Sequence, residues 1–155
     1  MVTKISILKQ ITADQIKQID KLWNEEYPQN LNNRFNLLLE GIKEYNHHIL
    51  LNDTNEIIGW AASFLREEDI WFSILVNSTH QNKGYGRMLI NSLKQSNNKL
   101  NGWVIDHNND LKVSGDYYKT PIQFYLKNGF EIISEKRIET DMISAVKICW
   151  INKSQ

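Results

Sequence analysis

Apolar residues recur along this chain at two spacings, and each spacing predicts a different kind of element. Residues 4–9 read as a first strand. Thr12 and Gln15 then form a capping box, which satisfies the free amides that open a helix. Ile16, Ile19, Leu22/Trp23 and Tyr27 follow at helical spacing until Pro28 ends the run. A second helix is expected over 32–45, with Phe35, Leu38, Leu39 and Ile42 on one face. Residues 48–51, 57–64 and 70–76 read as three strands. Asn52-Asp53-Thr54-Asn55 and Glu67-Glu68-Asp69 supply the turns of an antiparallel meander.

After Gly84 the period lengthens. Tyr85, Met88, Leu89 and Leu93 step along a helix face, and the pattern fades in the polar run 95–99. A further core strand occupies 100–105, followed by a polar stretch, 106–119, with little periodicity. Thr120 is placed to cap a short helix whose first position is Pro121. Gly129 stops that helix by turning the chain into a left-handed conformation. Strands over 130–137 and 143–151 close the chain as an antiparallel pair. The order predicts one mixed α/β domain over 1–155, built on a central sheet.

Charge and composition narrow the function classes. Eighteen basic residues balance eighteen acidic ones, so the basic stripe of a nucleic-acid binder is missing. No apolar run approaches the roughly 18 residues of a membrane span, and residues 1–15 lack a secretory leader's apolar core. The single cysteine, Cys149, cannot form an internal disulfide. The expectation is a cytoplasmic protein with no membrane or nucleic-acid partner. His47 and His48 are adjacent and therefore point to opposite strand faces, so no metal site is expected there.

The candidate chemistry lies in Gln81-Asn82-Lys83-Gly84-Tyr85-Gly86, where a strand gives way to a helix. Its glycines let backbone approach a ligand closely, and free amides at a helix start attract an anion. Lys83 and Arg87 add charge suited to a pyrophosphate. A P-loop needs Gly-Lys-Ser/Thr at its end, which this chain lacks. A dinucleotide fingerprint needs a small residue three positions after Gly86, where Leu89 stands. A coenzyme A turn and an ordinary glycine-bearing loop both stay open at this point.

The hexapeptide resembles the Gln/Arg-x-x-Gly-x-Gly/Ala signature of the GNAT superfamily of N-acetyltransferases. Pro121-Ile122-Gln123-Phe124-Tyr125-Leu126-Lys127-Asn128-Gly129-Phe130 resembles that family's late helix, although its early small residue is replaced around Pro121 and Ile122. The resemblance implies a GNAT-like fold whose sheet splays at the fourth and fifth strands. Acetyl-coenzyme A would be the co-substrate. Its pantetheine arm would lie against the backbone of Ile74, Leu75 and Val76, one amide polarising the acetyl carbonyl. Gln81, Asn82, Lys83, Gly84, Tyr85, Gly86 and Arg87 would hold the pyrophosphate. Tyr125 matches the tyrosine near the coenzyme sulfur, the general-acid candidate.

The same resemblance implies direct attack by a primary amine, from a small molecule or a peptide, in a ternary complex. A neutral nitrogen is needed, so the site must take a proton. Some relatives carry a glutamate for this where Ile70 stands here. Asp106 and His107, at the end of a strand, are the remaining candidates. Glu25, Glu26, Tyr27, Asn108 and Tyr118 lie where the acceptor would enter, and acids with aromatics suit a cationic amine. A coenzyme-binding sensor without catalysis, and transfer of a longer acyl group, are the alternative readings. Monomer and homodimer are both compatible with this sequence.

Overall fold

The computed structural model describes residues 4–42, 44–80 and 83–153, with Leu39 described by its backbone alone. Strand β1 (Lys4–Leu8) leads into α1 (Ala13–Glu26) through the expected capping box. The Gln15 amide donates to Thr12 Oγ1 at 3.1 Å, and the Thr12 amide donates to Gln15 Oε1 at 2.8 Å. Ile19, Leu22 and Trp23 form the buried stripe of α1.

The helix expected over 32–45 is shorter than the periodicity implies. A single 3₁₀ turn (Gln29–Leu31) precedes α2, which spans only Phe35–Leu39. Asn33 has φ +63° before it and Gly41 φ +74° after it, and neither value continues a right-handed helix. Beyond Gly41 the chain joins the sheet instead, as β2 (Tyr45–Leu51). Phe35 is fully buried edge-on against Trp60, which anchors the short helix without further turns.

Strands β3 (Ile57–Arg66) and β4 (Asp69–Val76) extend the meander. Their hairpin turns through Glu67 and Glu68, both at positive φ. Helix α3 (Tyr85–Ser96), β5 (Lys99–Val104), α4 (Ile122–Lys127), β6 (Glu131–Glu139) and β7 (Ser144–Ile151) follow. Helix α4 begins one residue later than expected, with Pro121 flanking it. The Thr120 hydroxyl accepts the Ile122 amide at 3.3 Å and donates to the Ile105 carbonyl, fastening α4 to the end of β5. Gly129 stops α4 at φ +88°, as its position predicts.

The seven strands form one sheet in the order β1-β2-β3-β4-β5-β7-β6, antiparallel except where β4 runs parallel to β5. That parallel pairing is confined to Trp71 opposite Asn101. Past it the strands diverge. Phe72 occupies the point of divergence, because Gly102 has no side chain there: a Cβ would lie 2.7 Å from the Phe72 ring. Helices α3 and α4 cover one face over Leu50, Ala61, Phe72, Leu100 and Val146. Helices α1 and α2 cover the other over Ile49, Trp60, Phe64, Trp71 and Leu75. His47 and His48 do point to opposite faces, His47 receiving the Trp60 indole N–H and His48 bonding Ser92 of α3.

Candidate active site

The divergence of β4 and β5 opens a cavity of about 890 Å³ that passes through the sheet. At one end it is bounded by Gly84, Gly86, Arg87, Lys127 and Asn128. Ile74, Leu75, Val76, Val104, Ile105 and Tyr125 line its middle. Phe64, Arg66, Trp71 and Trp103 line its far end.

The first end is built by the start of α3. Gly84 is its N-cap at φ +84° with no side-chain cap, so the first-turn amides of Tyr85, Gly86 and Arg87 lack partners within the helix. Twelve residues of aligned peptide dipoles add positive potential there. Gly86 faces Phe124 of α4, where an added Cβ would sit 3.2 Å from the ring. The glycine thus lets α3 and α4 approach beside the cavity. Arg87 and Lys83 are exposed, and Tyr85 packs half-buried with its ring 6.2 Å from His80. Gln81 and Asn82 lie outside the described residues.

The middle is built by the edge of β4 that diverges from β5. Tyr27, which follows α1, donates its hydroxyl to the Ile74 carbonyl at 3.1 Å and lies 3.5 Å from Ser73 Oγ. That bond shows the Ile74 carbonyl directed away from β3, and alternation along the strand directs the Ile74 amide and the Val76 polar groups the same way. Tyr118 brings its ring to 6.1 Å from that of Tyr27. Tyr125 approaches from α4, buried among Phe72, Phe124 and Phe130 at ring distances of 5.8, 5.2 and 5.4 Å. Burial holds the hydroxyl pKa of all three tyrosines above the ordinary value, and that of Tyr125 well above it.

Several residues expected at the acceptor side are engaged elsewhere. Asp106 is gripped by both terminal nitrogens of Arg137, at 2.8 and 3.1 Å, which lowers its carboxyl pKa. It lies outside the cavity lining, and its pair with Arg137 ties the end of β5 to β6. His107 turns into its own loop, Nδ1 accepting the Asn109 amide at 3.1 Å and Nε2 lying 3.8 Å from Asp110. Asn108 accepts the Thr120 amide at 2.8 Å, and exposed Glu25 pairs with Lys21. Neither lines the cavity. Glu26 does line it, but one oxygen accepts the Ser78 amide at 2.8 Å and the other pairs with Lys112 at 3.2 Å. It ties the loop before α3 to the loop after β5. Of the expected set, Glu26, Tyr27, Tyr118, Tyr125, Ile74, Leu75, Val76, Gly84, Gly86 and Arg87 meet at one cavity.

Sequence reasoning missed the far end. Buried Trp71 and half-buried Trp103 line it together with Phe64 and Arg66. Strand alternation puts Phe64 and Arg66 on one face, which was the available signal. Among the described residues no cluster of histidine, cysteine or carboxylate side chains could hold a metal ion, and no helix is long and apolar enough to cross a membrane.

Solved structures of low identity share this fold. An aminoglycoside 6'-N-acetyltransferase from Enterococcus faecium superposes with TM-score 0.71 at 13% identity, over 98% of each chain. The ribosomal-protein-S18-alanine N-acetyltransferase from Escherichia coli gives 0.63 at 16% identity, over 98% of this chain and 96% of that one. A phosphinothricin acetyltransferase from Sinorhizobium meliloti, solved in complex with AcCoA, gives 0.63 at 13%, over 96% and 88%. No curated protein sequence matches the chain. The profile of the Acetyltransferase (GNAT) domain matches residues 44–132, more than half of the chain, including β2 to α4 and the whole cavity middle. The chain belongs to the GNAT acetyltransferase family.

Proposed function

We propose that this protein transfers an acetyl group from acetyl-coenzyme A to a primary amine, both bound in the one cavity. The observation that carries the reading is the continuity of that cavity, from the start of α3 past the edge of β4 that diverges from β5 to Tyr125. The α3 amides, Arg87 and Lys127 suit a pyrophosphate, and the Ile74 amide on the β4 edge facing the cavity suits a carbonyl of an extended amide chain. Acetyl-coenzyme A supplies an activated thioester carbonyl.

In the reaction a carbon–nitrogen bond forms, the carbon–sulfur bond breaks, nitrogen loses a proton and sulfur gains one. A cleft-facing amide of β4 is suited to the developing oxyanion, a contribution of roughly 3 kcal/mol where such a donor is well aimed. Tyr125 holds its proton firmly in its buried site, so it acts as a hydrogen-bond donor to the leaving sulfur. Burial raises the basicity of a thiolate as it raises that of a phenolate, so the proton can pass between two groups shifted in the same direction. Glu26 is the one carboxylate among the described lining residues. Its two bonds to Ser78 and Lys112 leave proton removal from the amine to solvent along Tyr27 and Tyr118.

That shortage of a free carboxylate favours a second reading, a coenzyme-binding sensor. The test is thiol release from acetyl-coenzyme A across a panel of primary amines. Release that depends on the amine supports transfer. Stabilisation by acetyl-coenzyme A, about 2.7 kcal/mol at 100 times Kd, without release under any amine supports the sensor.

A further inference from the structure

The far end of the cavity has a chemistry opposite to that expected of a site for a cationic acceptor. Phe64 stands opposite Trp71 across β3 and β4, and Trp103 stands opposite Lys147 across β5 and β7. Trp71 pairs with Asn101, two residues before Trp103, so all these side chains and that of Arg66 share one sheet face. Trp71 and Trp103 stack with ring centroids 5.4 Å apart. The Arg66 guanidinium lies 5.0 Å above the Phe64 ring, and the Lys147 ammonium 5.3 Å above the Trp71 ring. Arg66 therefore stands over an aromatic floor in the cavity, and Lys147 packs on that floor from outside the lining.

Neither cation makes a salt bridge with a described carboxylate. Asp69, the residue opposite Arg66, pairs with Lys99 at 2.9 Å. Glu67 is exposed in the hairpin, and its charge acts on Arg66 without a salt-bridge contact. At the near side Glu26 is neutralised by Lys112, and Glu25 by Lys21. A half-buried guanidinium beside a hydrophobic cavity loses hydration, and a planar carboxylate restores both its charge balance and its hydrogen bonds.

We propose that the acceptor is an amine with an aromatic or other apolar body and a carboxylate at its far end, the carboxylate binding to Arg66. This rests on the acetyl-transfer reading and names its substrate class. The register sets the length. Phe64, beneath the guanidinium, is level with Trp71, three residues from Ile74 at the edge of β4 that diverges from β5. Three residues of strand span about 10 Å, so nitrogen and carboxylate lie about that far apart. An extended tripeptide with a free C-terminus has that span.

The test uses a tripeptide with central and C-terminal phenylalanines, as the free acid and as the C-terminal amide. Tryptophan fluorescence titration reads binding without turnover, and thiol release reads transfer. The wild-type protein should prefer the acid by about tenfold or more, as expected for a hydrogen-bonded charge. Arg66→Gln should bring the acid-to-amide ratio close to one, and Arg66→Lys should restore part of it. Equal binding of acid and amide by the wild-type protein overturns the proposal, as does an unchanged ratio in Arg66→Gln. If the acid is preferred in binding yet no amine yields thiol release, Arg66 stands as a carboxylate-binding site and the acetyl-transfer reading fails.

Discussion

The hydroxyl of Tyr27 donates a 3.1 Å hydrogen bond to the main-chain carbonyl of Ile74, so a side chain following α1 covers an acceptor on the edge of β4 that diverges from β5. Removing the hydroxyl in Tyr27→Phe leaves that carbonyl to solvent in the cavity, at a cost of about 1 kcal/mol. The melting temperature should fall accordingly. With acetyl-coenzyme A bound the deficit should shrink, because an amide of the ligand takes the vacated acceptor. Thermal melts with and without acetyl-coenzyme A check this; an equal deficit in both means that the ligand makes no bond there.

Tyr125→Phe keeps the ring that packs on Phe72, Phe124 and Phe130 and removes only the proton donor. Turnover should drop by about 100-fold, the lower end for loss of a general acid, while coenzyme affinity stays nearly unchanged. Thiol release at saturating substrates measures the first quantity, and thermal shift by acetyl-coenzyme A the second. Unchanged turnover would make Tyr125 a packing residue.

The donor end of the site was legible in the sequence because its parts are local. Gly84 and Gly86 sit within three residues of each other, and the late helix carries Tyr125 four residues before Gly129. The acceptor end was not, because its charges are cancelled over long separations. Arg137 reaches Asp106 across 31 residues, and Lys112 reaches Glu26 across 86. Periodicity cannot show which acid meets which base. The same limit explains the overextended second helix: Phe35, Leu38 and Ile42 have helical spacing, but Tyr45 gains more by pairing opposite Phe64 in the sheet.

The two glycines of the turn should fail differently. Gly84→Ala meets no neighbouring atom but keeps φ +84°, which strains any side-chain-bearing residue by roughly 1–2 kcal/mol. Gly86→Ala has no such strain and instead pushes Phe124 from 3.2 Å, widening the gap between α3 and α4. Gly84→Ala should lower the melting temperature most. Gly86→Ala should raise the KM for acetyl-coenzyme A several-fold at modest cost in stability. Equal effects on both quantities would leave the two glycines without distinct roles.

Acid should destabilise the fold through His47. Burial, with His48 beside it, lowers its pKa from 6.5 to about 4, and burial lowers that of His48 as well. Between those values the unfolded chain binds protons that the folded chain refuses, so stability falls as pH drops from about 6.5 towards 4. Above 6.5 the contribution is flat. Chemical denaturation at a series of pH values measures the slope, and His47→Gln should reduce it, leaving the part due to His48. A wild-type profile already flat from pH 7 to 4.5 would mean that His47 titrates normally.

Asp106→Asn separates the anchoring role of this residue from a catalytic one. Its carboxylate is 29% exposed and pairs with an arginine 35% exposed, which also holds Glu139 and Ser144. A partly exposed pair of this kind contributes little to stability, and salt weakens it. The variant should therefore melt slightly lower, with the difference shrinking at high ionic strength. Because Asp106 lies outside the cavity lining and Arg137 holds its carboxylate in the charged form, kcat and KM should stay within about twofold of wild type, since uninvolved surface changes are small. A large loss of kcat with normal folding would restore Asp106 as the base, and would require Arg137 to release it when the acceptor binds.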